Sequence, residues 1–446
     1  MKRFRIGSGA GFAGDRIDTA VELVDRGELD VVVLECLAER TIALAQLKRR
    51  RDPSHGYDLR LARRIEPLLP LLKSRGVRLI SNFGAANPAA AAQVILDIAR
   101  RHKIALRVAI VTGDDVLSSI DIDAPSLENG RPLRAHGAMV SANAYLGADA
   151  LLPALTHDAD VIVTGRVADP SLFVAPIAHR YGIALDDWPR IARATTIGHL
   201  LECAGQLCGG YFADPGRKDV PGMATLGFPY ADVDANGRGT LGKVEGTGGA
   251  ITPATVKEQL MYEVTDPHGY VTPDVIADFT SVRLQRRSDN RIVVDGASGK
   301  ARPEKLKVSV GYVAGFVGEG EIGYAGRNAI ARAQLAADIV RSRLRNVVDD
   351  VRVDLIGSTS LHGPAIGEAA QPYEVRLRIA ARARDTVTAE RIADEVEALY
   401  TNGPAGGGGV RTAVREQIGI VSTLIDRTQV RPRVDVVEWA QDAATV

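Results

Sequence analysis

Cysteine is scarce in this chain: Cys36, Cys203 and Cys208 are the whole set in 446 residues. An odd and sparse complement excludes a disulfide framework and a cysteine-rich zinc site, so a reduced, cytoplasmic setting is expected. No apolar run approaches the roughly 18 residues that span a bilayer, and no membrane association is expected. The basic start Met1-Lys2-Arg3-Phe4-Arg5 runs into a glycine-rich stretch at 6–11 instead of an apolar segment, which argues against a signal peptide. Neither sign of charge is in excess, since Lys+Arg and Asp+Glu both number 55. A duplex-binding protein carries a basic excess or stripe, so nucleic acid is not an expected partner. Catalytic signatures are missing too: the sequence has no G-x-S-x-G elbow, no H-E-x-x-H and no paired C-x-x-C. That argues against a serine hydrolase, a zincin and a zinc ribbon, and no metal site is expected.

What is present reads as a globular protein of two or three domains, with 46% hydrophobic and 25% charged residues. Glycine stands out at 45 residues, in short runs that suit tight turns or backbone approaching a ligand. The first half alternates strand and helix patterns. Strands are expected at 3–8, 30–36, 77–82, 106–112 and 160–164, with helices at 15–26, 38–50, 60–74 and 88–101. The run Asp30-Val31-Val32-Val33-Leu34-Glu35-Cys36 is apolar and β-branched, as in a strand buried on both faces. Such alternation predicts an α/β fold: an N-terminal Rossmann-like parallel sheet with helices on both faces, over residues 1–185. Residues 186–446 read as an α+β domain, opening with a helical and loop-rich connector at 186–240. In it, alternating strands at 278–294 and 306–315 precede a helix at 329–345, strands at 351–357 and 374–383, and a helix at 389–400.

Three constellations are candidates for chemistry. Gly9-Ala10-Gly11-Phe12-Ala13-Gly14 fits the dinucleotide-binding G-x-G-x-x-G between a strand and a helix, and Glu35 near the end of the next strand fits its ribose-binding acid. Asp15 follows the third glycine directly. A carboxylate there acts as a helix N-cap and repels a pyrophosphate, so NAD is the less favoured ligand. Another small ligand, or glycines serving only close packing, fits the same turn. The second constellation comes from topology, because parallel sheets bind ligands beyond the carboxyl ends of their strands. Those ends read Glu35, then Ser81-Asn82-Phe83-Gly84, then Thr112-Gly113-Asp114-Asp115, then Thr164-Gly165-Arg166 with Asp169. One such end is commonly a turn or cap, but four on one edge suggest a site, with Arg166 holding a substrate's negative charge. The third is His199, Glu202, Cys203 and Gln206, which share one face of a helix. They read as a solvated face, as an acid–base pair aimed at a ligand with His199 and Glu202 the catalytic candidates, or as a metal site for which the sequence places no third ligand. The runs Gly246-Thr247-Gly248-Gly249 and Gly403-Pro404-Ala405-Gly406-Gly407-Gly408-Gly409 are candidate anion nests or plain turns. Neither has the Lys-Ser/Thr ending of a Walker A loop.

Several of these blocks also carry a resemblance. Ser141-Ala142-Asn143-Ala144-Tyr145-Leu146-Gly147, Val163-Thr164-Gly165-Arg166-Val167-Ala168-Asp169-Pro170-Ser171-Leu172 and Gly198-His199-Leu200-Leu201-Glu202-Cys203 come first. Gly209-Gly210-Tyr211-Phe212, Gly246-Thr247-Gly248-Gly249, Val256-Lys257-Glu258-Gln259-Leu260, Tyr270-Val271-Thr272-Pro273-Asp274 and the glycine-rich Asn402-Gly403-Pro404-Ala405 follow in order. Together they resemble the acyclic terpene utilisation AtuA family over nearly the whole chain. The resemblance implies a role near isoprenoid or branched acyl-CoA breakdown and assigns no catalytic residues. The expected activity is therefore acid–base chemistry of hydratase or lyase type on a small carboxylate or a branched or isoprenoid acyl-CoA. No cofactor is assigned, and a CoA ester is admitted as substrate. The alternatives are a nucleotide-dependent oxidoreductase and a non-catalytic binding or assembly subunit. A homo-oligomer acting on a small molecule is expected.

Overall fold

A computed structural model describes residues 3–363 and 372–440, and the chain forms two compact units. The first is built from the chain up to Ala135, from Met139–Gly311, and from the chain after Ile420; the second holds His136–Ala138 and Tyr312–Gly419.

In the first unit the five expected parallel strands lie side by side. Their order across the sheet is Phe4–Ala10, Val31–Leu34, Arg78–Ser81, Val161–Thr164, Leu106–Thr112. Val31, Val32, Val33 and Leu34 are all buried, as a strand covered on both faces requires. Helices Ile17–Arg26, Leu61–Arg75 and Pro88–His102 pack on the face presented by Val32, Leu34, Leu79, Val161 and Val163. The chain then doubles back, placing Val161–Thr164 inside Leu106–Thr112. A right-handed crossover in the reverse direction puts its helix on the opposite face, where Ala148–Thr156, Ser171–Tyr181 and Trp188–Glu202 pack in succession.

The sheet is mixed and not purely parallel. Pro229–Val233 pairs antiparallel to Phe4–Ala10 and continues outward through Gly239–Lys243, Arg291–Asp295 and Arg283–Ser288; Arg433–Trp439 pairs antiparallel to Leu106–Thr112. Ten strands result. The dinucleotide-binding arrangement runs 3-2-1-4-5-6, with the first strand between two parallel neighbours. Here one neighbour of Phe4–Ala10 is antiparallel. Because those flanking strands come from late in the chain, residues 186–311 pack within the first unit instead of separating at 185/186. Helix Trp188–Glu202 opens the connector expected at 186–240, and strand Met139–Ala144, with its polar Ser141 and Asn143, is an unexpected addition.

The second unit is the α+β part. Lys305–Ala325, Glu374–Ala383 and Arg352–Ile356 pair antiparallel, Gly408–Asp426 lies beside Lys305–Ala325, and helices Ala329–Leu344 and Thr386–Glu397 cover one face. Among the described residues the chain order is β-α-β-β-α-β, with a short helix Leu399–Asn402 before the last strand. Gly318 and Gly320 let the second helix approach, since a Cβ on them would meet the Ala389 carbonyl oxygen at 2.1 Å and the Val396 Cβ at 2.6 Å. Among the described residues no helix is long and apolar enough to cross a membrane.

Candidate active site

A cavity of about 930 Å³ opens in the first unit beyond the carboxyl ends of Phe4–Ala10, Val31–Leu34 and Val161–Thr164. The residues that follow each strand line it: Gly11, Phe12 and Asp15; then Glu35, Leu37 and Glu39; then Arg166 and Asp169. Glu202 and Cys203, at the end of helix Trp188–Glu202, and Tyr145 and Tyr270 close other sides. Its size and position are those of small-molecule sites in such sheets.

Arg166 is the centre of the arrangement. It follows Val161–Thr164 through Gly165, where a Cβ would lie 2.4 Å from Asp114 Oδ1; the glycine lets Asp114 Oδ2 accept the Arg166 backbone N–H at 2.9 Å. The guanidinium is fully buried, donates Nη1 to the Leu37 carbonyl and Nη2 to Asp169, and lies 4.4 Å from the Tyr145 ring centroid. Its buried Nε has no hydrogen-bond partner among the described residues. A buried guanidinium needs such compensation, and Arg166 obtains most of it. The Tyr145 hydroxyl donates to Glu39; burial acts to raise Glu39, but that bond, with Arg166 and Lys307, brings it down to about 2.

Glu35 and Asp169 face this cation from two strands. Glu35 Oε1 accepts from the Leu37 N–H at 2.7 Å and from Asn82 Nδ2 at 2.9 Å, while Asn82 Oδ1 accepts the Cys36 N–H at 2.7 Å. Burial, then the Asp169 charge, pushes Glu35 well above the usual carboxylate range, and Arg166 offsets this only in part. With Oε1 accepting two N–H bonds, Oε2 is the oxygen left to carry a proton. Burial also raises Asp169, yet Arg166 opposes it through charge and a direct hydrogen bond. Both carboxyls are thus raised, Glu35 the further, and Asp169 alone holds a direct hydrogen bond to the cation.

His199 and Glu202 meet as their spacing predicts, with His199 Nδ1 2.8 Å from Glu202 Oε1. Only Glu202 lines the cavity. His199 stands behind it, with Nε2 3.2 Å from the Leu260 carbonyl oxygen and its ring 5.0 Å from Tyr270 and 5.6 Å from Phe279. Both ring nitrogens face acceptors, so the imidazolium form donates from both. Burial acts to lower His199, but the Glu202 charge and hydrogen bond raise it; burial pushes Glu202 up to about 7 against His199.

The glycine-rich turn is built for packing. A Cβ on Gly11 would lie 2.5 Å from the Cys203 carbonyl carbon, and one on Gly14 would lie 2.2 Å from the Phe12 ring. Gly9 is part of the first strand, under Leu34 and Val32. Asp15 is not the helix N-cap: the helix starts at Ile17 behind Arg16, and Asp15 accepts the Gly11 and Arg16 N–H groups at 2.9 Å each. The run Gly246-Thr247-Gly248-Gly249 lies away from the cavity, and its amides are occupied. Gly248 N donates to Thr225 O and Gly249 N to Pro221 O, both at 2.7 Å, so this is a turn and not an open nest.

Asn82 and Asp114, expected at the site, stand one layer behind it. Asp114 also accepts Asn143 Nδ2 at 2.8 Å, and burial, offset by its two donors, pushes it up to about 6. The folded protein thus holds this proton more tightly than the unfolded chain, whose aspartates titrate near 3.9. Stability from this group is complete below about pH 4 and is lost as pH rises through 6. Melting temperatures across pH 4–7 are expected to slope downward, and Asp114→Asn to flatten that slope. An unchanged slope in the variant would remove Asp114 as its source.

Glu39, Tyr145, Glu263 and Tyr270 line the cavity without having been singled out. Tyr145 and Tyr270 lie inside sequence blocks that carry the family resemblance, which is the signal that marks them. No curated protein and no solved structure matches the chain. The model of the acyclic terpene utilisation family protein AtuA matches residues 4–436, so the chain belongs to the AtuA family, whose name ties it to acyclic terpene utilisation.

Proposed function

We propose that the protein is an enzyme of hydratase or lyase type, acting by proton transfer on a small carboxylate or a branched acyl thioester. The observation that carries this is the placing of Glu35 and Asp169 on one cavity beside a buried arginine that bonds only Asp169 directly. Two carboxyls in such different environments, both raised by burial and only one ion-paired, suit an acid and a base. In an elimination, Asp169 takes the α-proton, the C–O bond breaks, and the Glu35 Oε2 proton passes to the departing hydroxyl, which leaves as water. Addition of water runs the same steps in reverse. Arg166 bonds Asp169 through Nη2 and supplies the positive charge beside which a substrate anion would sit. Glu202, positioned by His199, completes the acidic wall. Leu37, Leu226, Phe228, Leu306 and Leu424 in the lining suit a branched hydrocarbon, and Lys305 and Lys307 suit the phosphates of a CoA ester. The Gly11 amide is taken by Asp15, which disfavours the nucleotide-dependent oxidoreductase alternative.

The test is α-hydrogen exchange. The protein is incubated in D₂O with saturated and β-hydroxy branched acyl-CoA thioesters and the free acids, and mass spectrometry follows deuterium at the α-carbon. Protein-dependent exchange is expected for at least one of them. None across the panel overturns the reading.

A further inference from the structure

We propose that Tyr270 is a further catalytic residue of this cavity, its hydroxyl donating a hydrogen bond to the substrate carbonyl oxygen as charge gathers there. The proposal rests on the acid–base reading above and names the group that stabilises the enolate-like oxygen once Asp169 has taken the α-proton. Tyr270 opens the short strand Tyr270–Val271, which pairs antiparallel with Ile276–Asp278, so its backbone is anchored. Its ring lies against His199, centroids 5.0 Å apart, and against Phe279, 5.1 Å apart. Those two contacts set the ring at the cavity wall. The hydroxyls of Tyr145 and Tyr181 donate to Glu39 and to the Val233 carbonyl. That of Tyr270 makes no hydrogen bond among the described residues.

A phenol without a protein partner, held rigidly in a largely apolar cavity, is a donor waiting for an acceptor. Burial, followed by the charges of Glu202, Asp169 and Glu263, keeps it protonated far above its ordinary range. It therefore donates at any working pH and cannot compete with Asp169 for the proton. A preorganised donor aimed at developing negative charge contributes about 10²–10³ in rate, far more than it contributes to ground-state binding.

Tyr270→Phe removes only the oxygen and keeps the aromatic packing with His199 and Phe279. The probe is isovaleryl-CoA labelled with ¹³C at the thioester carbonyl. Its isotope-edited infrared band is expected to shift to lower frequency on binding the wild type and to return upward in Tyr270→Phe. Exchange at the α-carbon should fall about 10²–10³-fold while affinity changes less than tenfold. Replacing Tyr270 by 3-fluorotyrosine keeps the shape, strengthens the donor, and should lower the band further. A thioester that binds Tyr270→Phe with the wild-type band and wild-type exchange overturns the role of Tyr270 and leaves the acid–base reading standing. A wild type that exchanges no member of the panel of thioesters and acids overturns that reading and this proposal with it.

Discussion

Glu35→Gln and Asp169→Asn are each expected to slow α-proton exchange by about 10²–10⁴, the usual contribution of a positioned acid or base. The fold should survive both changes. Gln at 35 keeps a carbonyl oxygen for the Leu37 N–H and Asn82 Nδ2, the two donors on Oε1. Asn at 169 keeps an acceptor for Arg166 Nη2 and loses only the charge. The pH profiles then tell the two roles apart. A base must be ionised, so the rate climbs as pH rises through the Asp169 titration. An acid must be protonated, so the rate falls as pH rises through the Glu35 titration, which lies higher because burial and the Asp169 charge raise it. Asp169→Asn should abolish the rising limb and Glu35→Gln the falling one. Since the carboxyls share one arginine, the limbs belong to the pair. Variants with wild-type rates, or with both limbs intact, would assign the chemistry to other groups.

Arg166→Met carries the largest expected effect on stability. It deprives Asp169 and the Leu37 carbonyl of their donor and leaves a carboxylate uncompensated in the cavity wall. The Asp169 side chain is 37% exposed, so the cost falls below the about 3–5 kcal/mol of a fully buried pair, at about 2 kcal/mol, and the midpoint of chemical denaturation should move accordingly. The sign of the pH response is also set. Without the guanidinium the Asp169 titration rises further above that of the unfolded chain, so the variant should regain stability as pH is lowered. Arg166→Lys keeps a charge but loses the planar fork that reaches two acceptors, and should fall between the two. A loss under about 1 kcal/mol in Arg166→Met, with no recovery at low pH, would mean that the cation does not hold this site together.

Much of the site was legible at the level of single strand ends. Glu35, Asn82, Asp114 and Arg166 were named because ligand sites in parallel sheets gather at carboxyl ends. The structure brings all four into one network, Asn82 on Glu35 and Asp114 on the Arg166 backbone. What spacing does not encode is depth. Asn82, Asp114 and His199 resemble Glu35 and Glu202 in polarity and position, yet they stand behind the cavity wall and act on the residues that line it. The glycines of 9–14 show the same limit. A G-x-G-x-x-G pattern specifies a turn without side chains, and whether a phosphate or the backbone of Cys203 fills the space depends on a helix nearly 200 residues away.

The sequence by itself determined the five parallel strands and the helices between them. A β-branched run such as Val31-Val32-Val33 and a helix-period segment such as residues 88–101 state their conformation within one turn of chain, because side-chain spacing and burial are local. It also determined that His199 and Glu202 would meet, since three residues on a helix is a contact distance. Only the tertiary structure decided the order of the strands, with Val161–Thr164 inside Leu106–Thr112, and the antiparallel strands added at both flanks. It alone placed Tyr145 and Glu39 beside Arg166 and Tyr270 on the wall of the same cavity. These are pairings between segments up to hundreds of residues apart, and they follow from which surfaces bury each other once the chain has collapsed, a quantity that no local period records.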